Sequence, residues 1–436
     1  MNASPPIGAR QPAVSPSYKW WVVFMLWFVC FFNYADRQAI FAVFPKLKEE
    51  FGFDPVQLGL IGSAFMWVYA AGAPLAGFIG DRFRRKDLIL SGCLFWSFVT
   101  VTTGWCHRLW HFVTVRAMEG FGETFYFPAS MSVVSDYHSR QTRSRAMSLH
   151  QSSVYVGTIL GSWVGAWFAE HYGWRLGFYC FGTLGMVLAL VLYRLLREPQ
   201  RGQSELAAAA EPQSTPPSVG AVAREVFGTR TARLLMLVFM GANFVATIFL
   251  TWTPTFLVEK FNFRLTGAGL TGTIFIHLAS AASVPVGGNL ADWLSQRLAG
   301  GRMLVQASGL LIGSVFVFLV GTTEDLGTLI VAMTAFGLCK GLYDSNIFAA
   351  VYDVVHPRAR ATAAGIMNTV GWGGGALGPL FVGWVTKYGQ YGSQVQNMSH
   401  AIAFGGVIYV TGAAVLAIII LFLAKSDVKR TWEATP

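Results

Sequence analysis

Twelve apolar runs of about 20 residues constrain the fold of this chain more than any other feature. The hydrocarbon core of a bilayer, about 30 Å thick, takes about 20 apolar residues when they form a helix. A membrane strand needs about half that length and alternates apolar with polar residues, which these runs do not. We therefore predict an all-α membrane protein with twelve transmembrane helices, named spans 1 to 12, at about 20–44, 57–80, 87–105, 110–135, 146–169, 174–196, 232–258, 267–291, 303–321, 327–352, 361–386 and 400–424.

The charged residues agree with this class and indicate an orientation. They make up 12% of the chain, against about 25% in soluble domains. If the N-terminus is cytoplasmic, most of the 32 lysines and arginines fall on cytoplasmic tails and loops, as the positive-inside rule requires. The net charge of +10 therefore indicates orientation rather than a nucleic-acid partner. We expect cytoplasmic termini, a location in the plasma (inner) membrane, and no cleavable signal peptide before span 1.

Nothing in the sequence indicates a cofactor or an enzyme. It has no GxxxxGK[ST] phosphate loop, so we expect an ion gradient rather than ATP to supply energy. The cysteines lie singly on different spans without metal-ligand spacing and are expected to be apolar filler: Cys30, Cys93, Cys106, Cys180 and Cys339.

One polar interruption divides the chain into two halves that resemble each other. Residues 197–230 are rich in Pro, Ser and Ala and predict a cytoplasmic linker. It joins six-helix bundles at 19–196 and 231–424, flanked by a disordered N-terminus at 1–18 and a cytoplasmic tail at 425–436. A shift of 217 residues lays Asp136 on Asp353 and Arg143 on Arg360, and a shift of 211 lays "GFIGDRFRRK" (77–86) on "GNLADWLSQR" (288–297). Two pseudo-symmetric, parallel six-helix repeats are the plan of one class of transporter.

These motifs resemble the major facilitator superfamily over essentially the whole chain. The first copy of the loop motif follows span 2, and "YGWRLGF" (172–178) opens span 6. Within the superfamily, "NYADRQAI" (33–40), "RAMEGFGETFYFPA" (116–129) and "TWTPTFLVEK" (251–260) resemble the anion:cation symporters. Those proteins carry sugar acids and other organic anions with protons or sodium. Spinster-like lipid transporters share the Asp-Arg pair and the Gly-Glu of span 4, and are the nearest alternative.

Two spans carry charges of both signs: Asp36 and Arg37 on span 1, and Arg116, Glu119 and Glu123 on span 4. Each costs roughly 2.5–3.5 kcal/mol near the bilayer centre, so such residues pair or face a wet cavity. The spacing of the span 4 charges puts them on one helical face, whereas neighbours in sequence point about 100° apart and address different partners. The charges either join the helices or handle substrate. A carboxylate bound by the two arginines would leave the displaced acids easier to protonate.

The resemblance implies roles for individual residues. Asp36 and Glu123 correspond to proton-coupling acids, and Arg37 and Arg116 to substrate-binding residues. A larger set is expected to line the substrate cavity: Tyr34, Asn243, Trp252, Lys340 and Asn368, with Thr247 and Thr251 nearby. Lys340 either contacts the anion or pairs with Asp344. His277 is a candidate proton site, but a lone histidine in a helix is more often a hydrogen-bonded packing residue, and we interpret it as one. The expected cytoplasmic gate comprises Asp81, Arg82, Arg85, Asp136 and Arg143.

The sequence thus predicts a secondary transporter that works by alternating access and couples a small organic anion to protons. Its predicted partners are that anion and the lipid bilayer, without an obligate protein partner. The alternatives are a spinster-like or drug/lipid exporter, whose cavity would need a wide apolar flank, and a solute sensor that binds without transport.

Overall fold

The computed structural model describes residues 17–80, 82–200, 219–356 and 360–427, which are almost entirely helical. A five-residue π-helical turn, Ile419–Leu423, follows the last α-helix. The α-helices of the described residues are α1 (Tyr18–Ala42), α2 (Phe44–Phe51), α3 (Pro55–Gly80), α4 (Arg85–Thr103), α5 (Leu109–Thr124), α6 (Tyr126–Tyr137), α7 (Arg140–His171), α8 (Trp174–Leu195), α9 (Val219–Gly228), α10 (Arg230–Phe261), α11 (Leu265–Ser295), α12 (Gly301–Thr322), α13 (Leu326–Asp344), α14 (Ile347–Tyr352), α15 (Arg360–Gly375), α16 (Leu377–Tyr388) and α17 (Gln394–Ile418).

The helices pack in the same order in both halves. In the first half α1 packs on α7, α3 on α5, and α4 on α8. In the second half α10 packs on α15 and α16, α11 on α13, and α12 on α17. These pairs correspond under the internal repeat of the sequence, and the halves meet where α7 contacts α11 and where α3 contacts α15 and α16.

Seven of the described helical segments are long and apolar enough to cross a membrane. They coincide with predicted spans 2, 6, 7, 8, 9, 10 and 12. Spans 1, 3, 4, 5 and 11 also fall on helices, but those helices are interrupted or carry more polar residues. The protein is a multi-pass membrane protein by this measure, and the full number of twelve crossings stays a prediction.

Two spans that we expected to be continuous are each split near a proline. Span 4 is interrupted at Phe125, three residues before Pro128, and span 11 at Ala376, three residues before Pro379. A proline inside a helix lacks the N–H donor and its ring clashes with the carbonyl four residues earlier. The prediction of unbroken helices was wrong here because hydropathy does not register the loss of one backbone hydrogen bond.

Side chains from other helices use the carbonyls around the second break. Thr247 donates to the Gly375 carbonyl at 2.6 Å, which is the group that Pro379 cannot bond. Ser63, from the first half, donates to the Ala376 carbonyl at 2.5 Å. Thr247, which we predicted to line the cavity, therefore satisfies the interrupted backbone of α15 and α16.

The two halves are joined tightly at the predicted outer end of the molecule. A Cβ atom added at Gly59 would lie 2.5 Å from the Pro379 carbonyl oxygen, and one at Gly383 would lie 2.2 Å from that of Pro55. Only glycine permits so close an approach of α3 and α16. Polar contacts across the same end are Gln38 to the Leu250 carbonyl (2.8 Å), Lys48 to Glu259 (2.8 Å), Lys387 to Asp54 (2.7 Å) and the Thr266 N–H to Glu170 (2.7 Å).

The pair between Asp54 and Lys387 stays charged over the physiological pH range. Partial burial opposes ionisation of Asp54, but hydrogen bonds from Lys387 and the Gln57 N–H hold its pKa below the ordinary value. A carboxylate with a depressed pKa loses its stabilising contribution only as the pH falls through that lowered value. Neutral pH therefore favours the closed outer end.

Replacing Lys48 by glutamine is expected to favour opening of this end. The pair with Glu259 is partly exposed, so its loss is worth up to about 1 kcal/mol, or about fivefold in the population of open molecules. The measurement is the rate at which an impermeant maleimide labels Thr251→Cys, a buried position beside Gly62, in a background without the native cysteines. Lys46→Gln is the control, because Lys46 pairs with Glu49 within α2. Equal labelling in both variants would contradict a latch at Lys48.

Candidate functional site

Two buried arginines share one aromatic ring in the middle of the first half. The guanidinium carbon of Arg37 lies 4.5 Å from the centre of the Phe65 ring, and that of Arg116 lies 4.7 Å from it. The two arginine residues are 3% and 1% exposed. Because α1, α3 and α5 each contribute one of these residues, helix packing brings two positive charges to the same place.

Arg37 is held by an acid and an amide on one side and by aromatic rings on another. Its Nε and Nη2 atoms donate to Glu123 Oε2 at 3.1 and 2.5 Å, and Nη2 also donates to Asn33 at 3.3 Å. The rings of Tyr34, Tyr69 and Trp372 lie 4.5, 5.4 and 5.6 Å from its guanidinium carbon. Trp372 belongs to α15, so the second half also contributes to this environment.

Arg116 forms a separate pair with Glu119, one turn further along α5. Close by, the Thr100 hydroxyl lies 3.3 Å from Asp36 and 3.5 Å from Glu119. The predicted charge cluster therefore consists of two arginine-carboxylate pairs and a third acid, Asp36, which contacts a hydroxyl instead of a guanidinium.

Several polar atoms of this cluster have no hydrogen-bond partner among the described residues. They are Asp36 Oδ1, Glu123 Oε1, Arg37 Nη1 and Arg116 Nε and Nη2. Buried groups normally make all their hydrogen bonds, and each exception needs an explanation. Unpaired donors on both arginines are suited to an acceptor-rich ligand such as a carboxylate.

The residues predicted to line the second half have mixed environments. The Trp252 indole N–H donates to the Pro379 carbonyl at 3.0 Å, its ring contacts Phe44, and the side chain is buried. This places Trp252 in the contact at the closed outer end, with its one polar group already bonded. Asn243 donates to the Phe239 carbonyl at 3.1 Å and is half-buried, as is Asn368.

Lys340 and Asp344 form the ion pair that the sequence left as one of two possibilities. Both side chains remain partly accessible, at 22% and 28%, and they lie in the last two turns of α13. His277 Nδ1 donates to the Thr273 carbonyl at 2.8 Å, and the His277 ring lies 6.3 Å from that of Tyr155 on α7. Because Lys340 is paired with Asp344 and still partly accessible, a contact between Lys340 and the substrate stays a prediction.

The predicted cytoplasmic gate is described in part. Asp81 lies outside the described residues, and Arg82 is exposed. Arg85 pairs with Asp136, which joins the start of α4 to the end of α6. Arg143 donates through Nε to the His138 carbonyl at 3.3 Å.

The Arg85 pair has a counterpart in the second half that our sequence analysis missed. Arg302 pairs with Asp353 at 2.5 Å and with Asp292 at 2.9 Å. The shift of 217 residues that aligned the two aspartates also aligns Arg85 with Arg302, so the signal was present. Of the four aromatic residues around Arg37, the sequence predicted Tyr34. Phe65, Tyr69 and Trp372 and the Thr100 hydroxyl were missed, because an aromatic residue or a threonine in an apolar span carries no distinctive pattern.

Comparison with known proteins agrees with this architecture. The model of the Major Facilitator Superfamily matches residues 26–379 and 293–435. A probable galactarate/D-glucarate transporter of Escherichia coli (strain K12) is 25% identical over 439 residues, which cover 94% of either protein. A probable L-galactonate transporter of the same strain is 27% identical, covering 83% of this chain and 82% of that protein. The crystal structure of a bacterial homologue of the human lysosomal transporter Spinster, inward-facing and unoccupied, superposes with a TM-score of 0.75 at 22% identity, covering 96% of this chain and 98% of that one.

Proposed function

The chain belongs to the Major Facilitator Superfamily, and on that premise we propose that it is a twelve-span secondary transporter that moves a small organic anion together with protons. The proposed substrate class is a sugar acid or a related hydroxylated carboxylate, for which its relatives in Escherichia coli are named. We place it in the plasma (inner) membrane with both termini in the cytoplasm.

The observation that carries this proposal is the pair of buried arginines at Phe65, each bound to a glutamate and each with unpaired donors. An arginine presents its donors in a planar fork that matches the two oxygens of a carboxylate. A substrate carboxylate therefore competes with Glu123 and Glu119 for the same guanidinium groups. Release of a glutamate from its arginine removes the charge that keeps it ionised, so anion binding and proton uptake are linked.

The proposed mechanism is alternating access, and the arrangement of the halves supports it. At the outer end α3 and α16 touch through glycines, and ion pairs span the junction. We infer that this is the outward-closed state and that opening requires the halves to separate there. Asp36 and Arg37 on α1 precede the ion-pair residues Lys48 and Asp54 of this end in the chain, which supports a site that lies below the closure and that the two halves expose in turn.

The residues that we predicted from sequence take these proposed roles. Asp36 and Glu123 carry protons, while Arg37 and Arg116 bind the anion with Tyr34, Asn243, Lys340 and Asn368 around it. The gate residues Asp81, Arg82, Arg85, Asp136 and Arg143 hold the cytoplasmic end in the opposite state. Trp252 takes a different role, since its contacts place it with the outer closure.

The test is counterflow in proteoliposomes with a panel of sugar acids, short carboxylates and lysolipids. Each substrate is measured with and without a pH gradient in which the outside is more acidic than the inside. We expect a sugar acid or short carboxylate to exchange and to accumulate when the gradient is applied. Exchange of lysolipids alone would instead identify a spinster-like exporter. Saturable binding of an anion without any flux would identify a sensor.

A further inference from the structure

The Thr100 hydroxyl on α4 lies between two buried carboxyl groups. Its oxygen is 3.3 Å from Asp36 Oδ2 and 3.5 Å from Glu119 Oε1, and it donates to the Trp96 carbonyl at 3.0 Å. Thr100 and Asp36 are fully buried, and Glu119 is 2% exposed. Three acceptors from three helices therefore surround one hydroxyl group.

One hydroxyl has a single hydrogen and cannot satisfy three acceptors. The nearest acceptor is the Trp96 carbonyl, one turn earlier on the same helix. When the hydrogen points there, the Thr100 oxygen accepts hydrogen bonds instead of donating them to the carboxyl groups. A favourable contact between Asp36 and Thr100 then requires Asp36 to be the donor, which means that Asp36 carries a proton.

The charges around Asp36 point to the same protonation. The groups that face it are Glu119, Glu123 and Arg116 from α5 and Cys93 from α4, with Arg37 next in the chain. The nearby titratable residues Tyr126 on α6 and His150 on α7 are hydrogen-bonded to each other. Tyr126 also donates to the Leu26 carbonyl on α1, ten residues before Asp36. Arg37 is taken by Glu123 and Arg116 by Glu119, so three carboxyl groups share two guanidinium groups. An ionised carboxylate without a partner is costly in such a buried place, and one proton makes the cluster neutral.

We propose that Asp36 and Glu119 form a proton-transfer pair bridged by the Thr100 hydroxyl, with the proton on Asp36 while Arg116 holds Glu119. This inference rests on the proposed function. When a substrate carboxylate takes Arg116, the Asp36 O–H bond breaks and its proton binds the Thr100 oxygen, while the Thr100 hydrogen turns from the Trp96 carbonyl and moves to Glu119 Oε1. Asp36 is then a carboxylate and takes up a proton from the open side.

The cluster therefore has two arms, each with one arginine and one glutamate. Release of Glu119 from Arg116 and release of Glu123 from Arg37 each require one proton to keep the charge balanced. A dicarboxylate that binds both arginines brings two protons, and a monocarboxylate that binds one arginine brings one. Glu119 thus acts as a third coupling acid, and Thr100 is a positioning residue.

Infrared spectroscopy of the purified protein at neutral pH tests where the proton lies. We expect a carboxylic-acid C=O band that is absent in Asp36→Asn and moves to higher frequency in Thr100→Val, where the acid loses its acceptor. Thr103→Val is the matched control, because Thr103 is also buried on α4 and its hydroxyl donates to the Val99 carbonyl of its own helix. A spectrum in which Asp36→Asn removes no band would overturn the assignment of the proton to Asp36.

Transport measurements test the bridge itself. In proteoliposomes under a pH gradient, Thr100→Val is expected to reduce accumulation at least about tenfold more than counterflow, since one hydrogen bond to a charged group is worth about that factor. Thr103→Val should match the wild type in both assays. Equal effects of Thr100→Val on accumulation and counterflow would overturn the bridge. If the wild type transports nothing in the panel, the proposed function fails, while the infrared result still decides the protonation of Asp36.

Discussion

Replacement of Arg37 by glutamine is expected to abolish uptake and to lower the free energy of unfolding by about 3–5 kcal/mol, the cost of removing one partner of a buried ion pair. Glu123 Oε2 would lose both of its hydrogen bonds from Arg37 while staying buried. The aromatic residues that face Arg37 carry only neutral donors, the hydroxyl groups of Tyr34 and Tyr69 and the indole N–H of Trp372, which bind a carboxylate more weakly than a guanidinium does. The measurements are uptake into proteoliposomes and thermal unfolding of the detergent-solubilised protein.

Three further variants separate the loss of stability from the loss of binding. Arg37→Gln combined with Glu123→Gln removes both charges, so stability should recover to near the wild-type value while uptake stays absent. Arg37→Lys keeps the charge but loses the planar fork that bonds Glu123 and stacks on the rings, and we expect a partial loss of both properties. Arg175→Gln is the control, because its pair with Glu50 is exposed and worth less than about 1 kcal/mol. Full uptake by the double variant would contradict a role for Arg37 in binding.

The charge cluster shows how much of a membrane protein's interior can be predicted from its sequence. The cost of burying a charge predicted that the acids and arginines of α1 and α5 would meet, and helical spacing put the α5 charges on one face. The sequence did not predict the pairing pattern. Arg116 pairs with Glu119 within its own helix, so Asp36 contacts the Thr100 hydroxyl instead of an arginine. Which of the three acids pairs with Arg116 depends on side-chain positions within an ångström or two, and the sequence does not give these.

The second half was predicted less well for a different physical reason. Hydropathy and the internal repeat predicted the helices of the second half and its likeness to the first, since both follow from apolar burial over many residues. The proline breaks, by contrast, change single hydrogen bonds. Thr247, Trp252 and Ser63 all bond to carbonyls around the break between α15 and α16, and no pattern of residue types in the sequence identifies those acceptors.

Glu123→Gln is expected to retain counterflow exchange and to lose accumulation driven by a pH gradient. Glutamine has nearly the shape of a protonated glutamate and can still accept a hydrogen bond from Arg37, but it neither binds nor releases a proton at neutral pH. The anion would then compete with a neutral amide for Arg37, so binding persists. What disappears is the requirement that a proton accompany each anion.

The size of this effect follows from the energy in the gradient. One pH unit corresponds to 1.36 kcal/mol per proton. This is enough for about tenfold accumulation per coupled proton when the anion and its protons cross together without net movement of charge. The measurement is therefore the steady-state ratio of substrate inside to outside at a gradient of one unit, which for a monocarboxylate bound at Arg37 should fall from about tenfold to about one. Glu49→Gln is the control, since Glu49 pairs with Lys46 within α2 and lies outside both the charge cluster and the contacts between the halves. In the proposed scheme Asp36 and Glu119 carry a second proton independently of Glu123. Glu123→Gln should therefore keep part of the accumulation of a dicarboxylate. It should keep none of the accumulation of a monocarboxylate that binds at Arg37 alone. Accumulation equal to that of the wild type for both substrates would remove Glu123 from the coupling mechanism.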